Sequence, residues 1–233
     1  MRMASFPLAL LTLVALGRRA HAQELSPAPA REPDAAEPRG AERPGAPPVP
    51  VEVMVGTAYT SVVLVLSKPL ADASRWGIFH ENTLVAGYDA DEGSVAAQTL
   101  LTFAPGGGVR LTAGAFYGTV PGVSPTAGAQ YLRPGRRWFV LVSPRVNVER
   151  DPSYSVFTIL RYTRGPATGR RLYLSLQALN TFDARQHIRS YQWTRLGLDR
   201  RGTQVGLGVN FDESGPRPRV ATSAGVFVRR ELF

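Results

Sequence analysis

The sequence predicts an all-β chain: a closed, antiparallel up-and-down transmembrane β-barrel of ten to twelve strands. Three observations predict it. No stretch from 51 to 233 keeps a helical period. Apolar and polar residues alternate at period two in segments of about ten residues. Turn residues stand where the alternation stops. The 233-residue chain is long enough for one large β domain, and it has no cysteine, hence no disulfide, thiol nucleophile or iron–sulfur site.

Residues 1–22 read as a secretory signal peptide, with Arg2 as the positive n-region, Ala4 to Gly17 as the apolar stretch and Ala20-His21-Ala22 as the cleavage site. Arg18 and Arg19, just before that site, leave an uncleaved anchor as the alternative. Loss of the three arginines lowers the formal charge from +9 to +6. Residues 23–50 hold eight prolines in 28 positions and cannot bury enough apolar surface to offset ordering, so a disordered spacer is expected. The barrel domain is expected over 51–233.

Ten strands are expected near 74–88, 94–104, 108–118, 126–133, 136–148, 153–164, 170–181, 187–198, 203–213 and 217–230. The segment 51–68, with its run Val62 to Leu66, reads as one strand, two, or a strap outside the sheet. Single-chain bacterial barrels take even numbers, hence ten or twelve. Compact turns fall at Pro105 to Gly108, Pro134-Gly135, Gly165 to Gly169 and Arg200-Arg201-Gly202. Longer polar connections at 89–93, 118–126, 149–153, 181–187 and 212–216 are expected at the opposite end.

The alternation sorts residues to faces. Val205, Leu207, Val209 and Phe211 share one face of their segment, with Gln204, Gly206, Gly208, Asn210 and Asp212 on the other. Polar faces carry groups that can pair: Arg110, Arg145, Arg161, Arg189 and Arg195 with Gln98, Gln177, Asn210, Asp212 and Glu149. Aromatic residues such as Trp76, Tyr88, Tyr117, Tyr131, Trp138, Tyr154 and Tyr162 gather toward segment ends, where interfacial girdles would lie. The chain ends Gly225-Val226-Phe227-Val228-Arg229-Arg230-Glu231-Leu232-Phe233, a β-like segment with a terminal Phe.

That ending, the signal peptide and the regular hairpins resemble the small outer-membrane β-barrel proteins of Gram-negative bacteria. The resemblance implies residence in the outer membrane, with outer-membrane lipids as partners. It further implies recognition of the terminal strand by the barrel-assembly machinery. Arg229 and Glu231 depart from the pattern, on the face that carries Phe233, so the strand is expected to leave the bilayer near Val228.

Candidate chemistry is sparse. Besides His21 only His80 and His187 occur, and the carboxylates are scattered, so no metal-ligand spacing and no cofactor motif appear. Asp89-Ala90-Asp91-Glu92-Gly93 lacks the spacing of a calcium loop. The arginines are dispersed along the chain, which argues against nucleic acid. A hydrolase would need Ser190, His187 and Asp183, but Ser190 and His187 are three apart and belong on opposite faces of an extended strand. Arg189, Tyr191, Trp193 and Arg195 share one face and form either a stacking site for a sugar or anion or a lumen-filling cation–π ladder. The expected function is a non-enzymatic structural or binding role in the envelope. Its rivals are a narrow anion channel, an outer-leaflet lipid hydrolase and a soluble periplasmic barrel or sandwich.

Overall fold

The structure, a computed structural model, describes residues 49–89, 93–119, 122–148, 150–166, 168–217 and 219–232. The expected signal peptide, nearly all of the spacer, Glu149 and Phe233 lie outside the described residues. Twelve strands follow in order: β1 (Val49–Gly56), β2 (Tyr59–Pro69), β3 (Trp76–Gly87), β4 (Gly93–Gly106), β5 (Val109–Gly118), β6 (Gly122–Arg133), β7 (Trp138–Asn147), β8 (Ser153–Arg164), β9 (Arg171–Phe182), β10 (His187–Arg200), β11 (Thr203–Ser214) and β12 (Arg219–Leu232). Each pairs antiparallel with its neighbours in sequence, and β1 closes on β12 from Val49↔Leu232 to Gly56↔Gly225. Closure leaves no strand edge, one of the two ways a backbone can satisfy its polar groups in lipid. From β2 onward the strands have 10–14 residues, enough to span an apolar bilayer core when tilted.

Segment 51–68 resolves into two strands, β1 and β2, which takes the count to twelve. Their turn is Thr57-Ala58, where the Thr57 N–H donates to the Ala224 carbonyl at 2.9 Å. β1 begins at Val49, two residues before the expected boundary, and β6 begins at Gly122 rather than 126. The expected contrast between short turns and longer loops does not hold: no connection at either end exceeds six residues. The strands run further than their apolar alternation, so residues that look like loops complete the ladders.

Face assignment follows the alternation. Val205, Leu207, Val226, Val228, Leu196 and Leu198 are about half exposed on the outer wall. Their neighbours Gln204, Asn210, Phe227, Arg229 and Arg195 are buried inside. Aromatic residues ring both ends of the outer wall. Trp76 packs against Phe103 (ring centroids 4.9 Å) and Trp138 against Tyr162 (4.6 Å) at tilted angles, at the end that carries both termini. Tyr88, Tyr117, Tyr154 and Phe182 mark the other end.

β12 continues as a strand past Val228. It stays paired with β1 to Leu232, and Arg229 and Glu231 point inward, 3.2 Å apart. The two charges satisfy each other in the lumen, which is why they are tolerated on that face.

Apolar side chains pack inside the wall. Val63, Phe79, Leu100, Leu141, Phe157, Ile159, Tyr191 and Trp193, drawn from six strands around the wall, form one apolar cluster. Met54, Tyr173 and Phe227 form a second.

Candidate functional site

The four residues expected to form a ladder on β10 all project into the lumen. Tyr191 and Trp193 lie 4.8 Å apart, with the Arg189 and Arg195 guanidiniums each 5.9 Å from the adjacent ring. Period-two spacing on an extended strand puts them in this row. Asp212 on β11, paired across from Tyr191, anchors it. Its carboxylate accepts from the Tyr59 hydroxyl at 2.6 Å, the Trp193 indole at 3.2 Å and Arg189 at 3.4 Å. Arg195 donates to Glu52 and to Asn210, both at 2.7 Å. Trp193 and Arg195 are each 2% exposed, so the middle of the ladder offers no open stacking face. Arg189 is the member open to solvent.

The rest of the lumen is bridged in the same manner. Arg145 donates to Gln98 from three strands away, and Gln98 donates to Glu81 at 2.7 Å. Gln177 on β9 donates to the Tyr191 hydroxyl at 3.1 Å and comes within 3.5 Å of Glu81 on β3, at the opposite wall. Arg110 reaches Ser67, Arg171 pairs with Asp199, and Arg161 lies 3.6 Å from Glu231. Buried charges are tolerated when paired and hydrogen-bonded. Alternation marks most of these arginines, but not Glu52, Tyr59, Glu81, Asp199 and Glu231 as partners. Their signal was a polar residue on the inward side of an alternating strand.

His187 and Ser190 meet, contrary to the expectation that they face opposite sides. A register shift between His187 and Arg189 inserts one extra residue against β9, so His187 pairs with Phe182 and Ser190 with Asn180. This β-bulge returns His187 to the outer face that Ser190 occupies. His187 Nε2 lies 2.8 Å from Ser190 Oγ, and Nδ1 lies 3.1 Å from the Gly215 carbonyl. A carbonyl accepts only, so Nδ1 carries the proton in the neutral ring and Nε2 accepts from the hydroxyl. The same hydroxyl also stands 3.0 Å from Asn180 Oδ1 as a donor, and its one proton serves one of these two acceptors at a time.

Among the described residues no carboxylate bonds to this histidine. Asp183 instead accepts from the backbone N–H of Arg185 at 2.6 Å and Gln186 at 2.7 Å. Those bonds, Arg185 first, hold its carboxyl below the ordinary value. His80 points outward from β3 and contacts Thr99 Oγ1 at 2.9 Å. Among the described residues no group of three metal-ligating side chains converges.

No family model matches the chain, and no curated protein matches it in sequence. Solved structures do match in fold. The NanC porin superposes with a TM-score of 0.52 at 9% identity, covering 79% of this chain and 100% of that one. The KdgM porin gives 0.46 at 10% identity over 79% and 99% of the two chains. LpxR from Salmonella typhimurium gives 0.40 at 9% over 79% and 99%. The likeness to the NanC porin is one of fold: a closed antiparallel β-barrel.

Proposed function

We propose that this chain is an integral outer-membrane β-barrel that serves the envelope as a structural or binding component rather than as a pore. The observation that carries the reading is the packing inside the wall: Phe79, Phe157, Leu100, Leu141, Gln98 and Trp193 are each at most 2% exposed inside a wall whose outer face is apolar. A channel needs a continuous polar path wide enough for its solute, and bonds that cross from one wall toward the other occupy that path. Its lipid partners contact the outer wall, and its terminal strand addresses the barrel-assembly machinery. The test is conductance of the full chain in planar bilayers, with the NanC porin run alongside. Steady bilayer insertion without unitary current steps is expected; reproducible steps would make it a channel.

One observation favours a second reading, an outer-leaflet lipid hydrolase: the Ser190–His187 contact on the outer wall. Against it stands the missing acid, since nucleophilic triads orient the histidine with a carboxylate. We expect no acyl release from phospholipid or lipopolysaccharide by the purified barrel. Release that disappears in both Ser190→Ala and His187→Ala would establish the enzyme.

A further inference from the structure

The end of the barrel that carries both termini has an unbalanced basic surface. The connections there hold Arg75, Arg136, Arg137, Arg170 and Arg201 against Asp72. The described connections at the other end hold Arg150, Arg185 and Arg217 against Asp89, Asp151 and Asp183.

Part of this basic surface gathers on the outer wall at β9 to β12. A groove of about 660 Å³ is lined there by Arg170, Arg200, Arg201 and Arg230, with Thr203, Leu198 and Val205. Register explains the arrangement. Arg200 pairs with Thr203 and Thr203 with Arg230, making one outward rung. The next outward rung is Leu172–Leu198–Val205–Val228, apolar across four adjacent strands. Cations thus stand two residues beyond the edge of the apolar band. The nearby carboxylates, Asp199 and Glu231, turn inward to Arg171, Arg161 and Arg229. Among the described residues no ion pair engages the four groove arginines.

The hairpin turn adds a second observation. Arg201 and Gly202 both have positive φ, 51° and 76°, as a two-residue type I′ turn requires. Asn, Asp or Gly fill that first position without strain. An arginine there holds a strained backbone while its guanidinium lines the groove.

We infer that this groove is a binding site for an acidic phospholipid, with the phosphate seated among Arg170, Arg200, Arg201 and Arg230 and an acyl chain lying along the Leu172–Leu198–Val205–Val228 row. The inference rests on the membrane reading of the outer wall. Guanidinium groups bind phosphate oxygens in bidentate fashion, and the apolar row beside them supplies what a free anion lacks.

The test compares the full chain in nanodiscs of phosphatidylcholine with a minor fraction of phosphatidylglycerol, then counts co-purified lipid by native mass spectrometry after mild detergent extraction. Phosphatidylglycerol should be enriched over its bulk fraction. Arg200→Gln with Arg230→Gln should weaken retention about 25-fold, taking about 1 kcal/mol per arginine near a membrane surface. Arg136→Gln with Arg137→Gln, of equal charge and at the same end, should leave it within about twofold. Equal loss in both pairs, or no enrichment in the unaltered chain, overturns the site. Displacement by millimolar inorganic phosphate alone would overturn the lipid assignment. Failure of the unaltered chain to insert into nanodiscs would bring down the membrane reading and this site with it. Insertion without enrichment removes only the site.

Discussion

At the residue scale the molecule is governed by pairing of charges in a narrow interior. Arg195 is nearly fully buried and bonds to Glu52 and Asn210, while Asp212 holds Tyr59, Trp193 and Arg189 together. Removing one partner of a buried pair leaves the other charge uncompensated, at a cost of about 3–5 kcal/mol, whereas replacing both with apolar groups is often neutral. Glu52→Leu alone should therefore destabilise the folded barrel by about that amount. Glu52→Leu combined with Arg195→Met should recover most of it, as read from urea unfolding in lipid. Equal losses in the single and double variants would mean that the pair does not act as a unit. The inward arginines were legible from alternation because side-chain direction follows period two. Partners such as Glu52 and Tyr59 were not, because they reach Arg195 and Asp212 from strands three positions away around the closed wall, whereas Asp199 meets Arg171 on the adjacent strand.

At the element scale, β-strand regularity and its local failures place the side chains. Gly206 on β11 and Gly197 on β10 face each other, so closely that a Cβ on Gly206 would collide with the Leu196 carbonyl and the Gly197 backbone. Neither glycine needs a positive φ; what they permit is close approach of two strands in a sharply coiled wall. Gly206→Ala should cost about 1–3 kcal/mol, as overpacking does, and lower the thermal transition that converts the compact barrel on unheated gels. An unchanged transition would mean that the wall yields at this point. Strand existence was legible wherever alternation ran between Gly or Pro turns. The β1–β2 hairpin was ambiguous because Thr57-Ala58 lacks a strong turn former and the Val62–Leu66 run shows no alternation. The His187–Ser190 contact was hidden for a different reason: counting residues assumes an unbroken period, and the bulge after His187 breaks it.

At the scale of the whole molecule, the fold turns a barrel inside out relative to a soluble one. Twelve strands close the wall, apolar clusters and crossing hydrogen bonds lie inside it, and its outer face is apolar. Fold class and closure were legible because the outward residues are apolar along nearly every strand. The inward apolar clusters were less legible, because Phe79, Leu100, Leu141 and Phe157 look like the same apolar class as their outward counterparts. Which apolar residue faces which solvent is thus the central claim. The chain has no cysteine, so single cysteines can carry an environment-sensitive fluorophore. The most direct measurement is quenching of that label by lipids brominated on the acyl chain, at Leu207→Cys on the outer wall and at Gln177→Cys in the lumen. Strong quenching and a blue-shifted emission are expected at position 207, with little quenching at 177. An unquenched, water-exposed label at 207 in the folded chain would contradict the central claim.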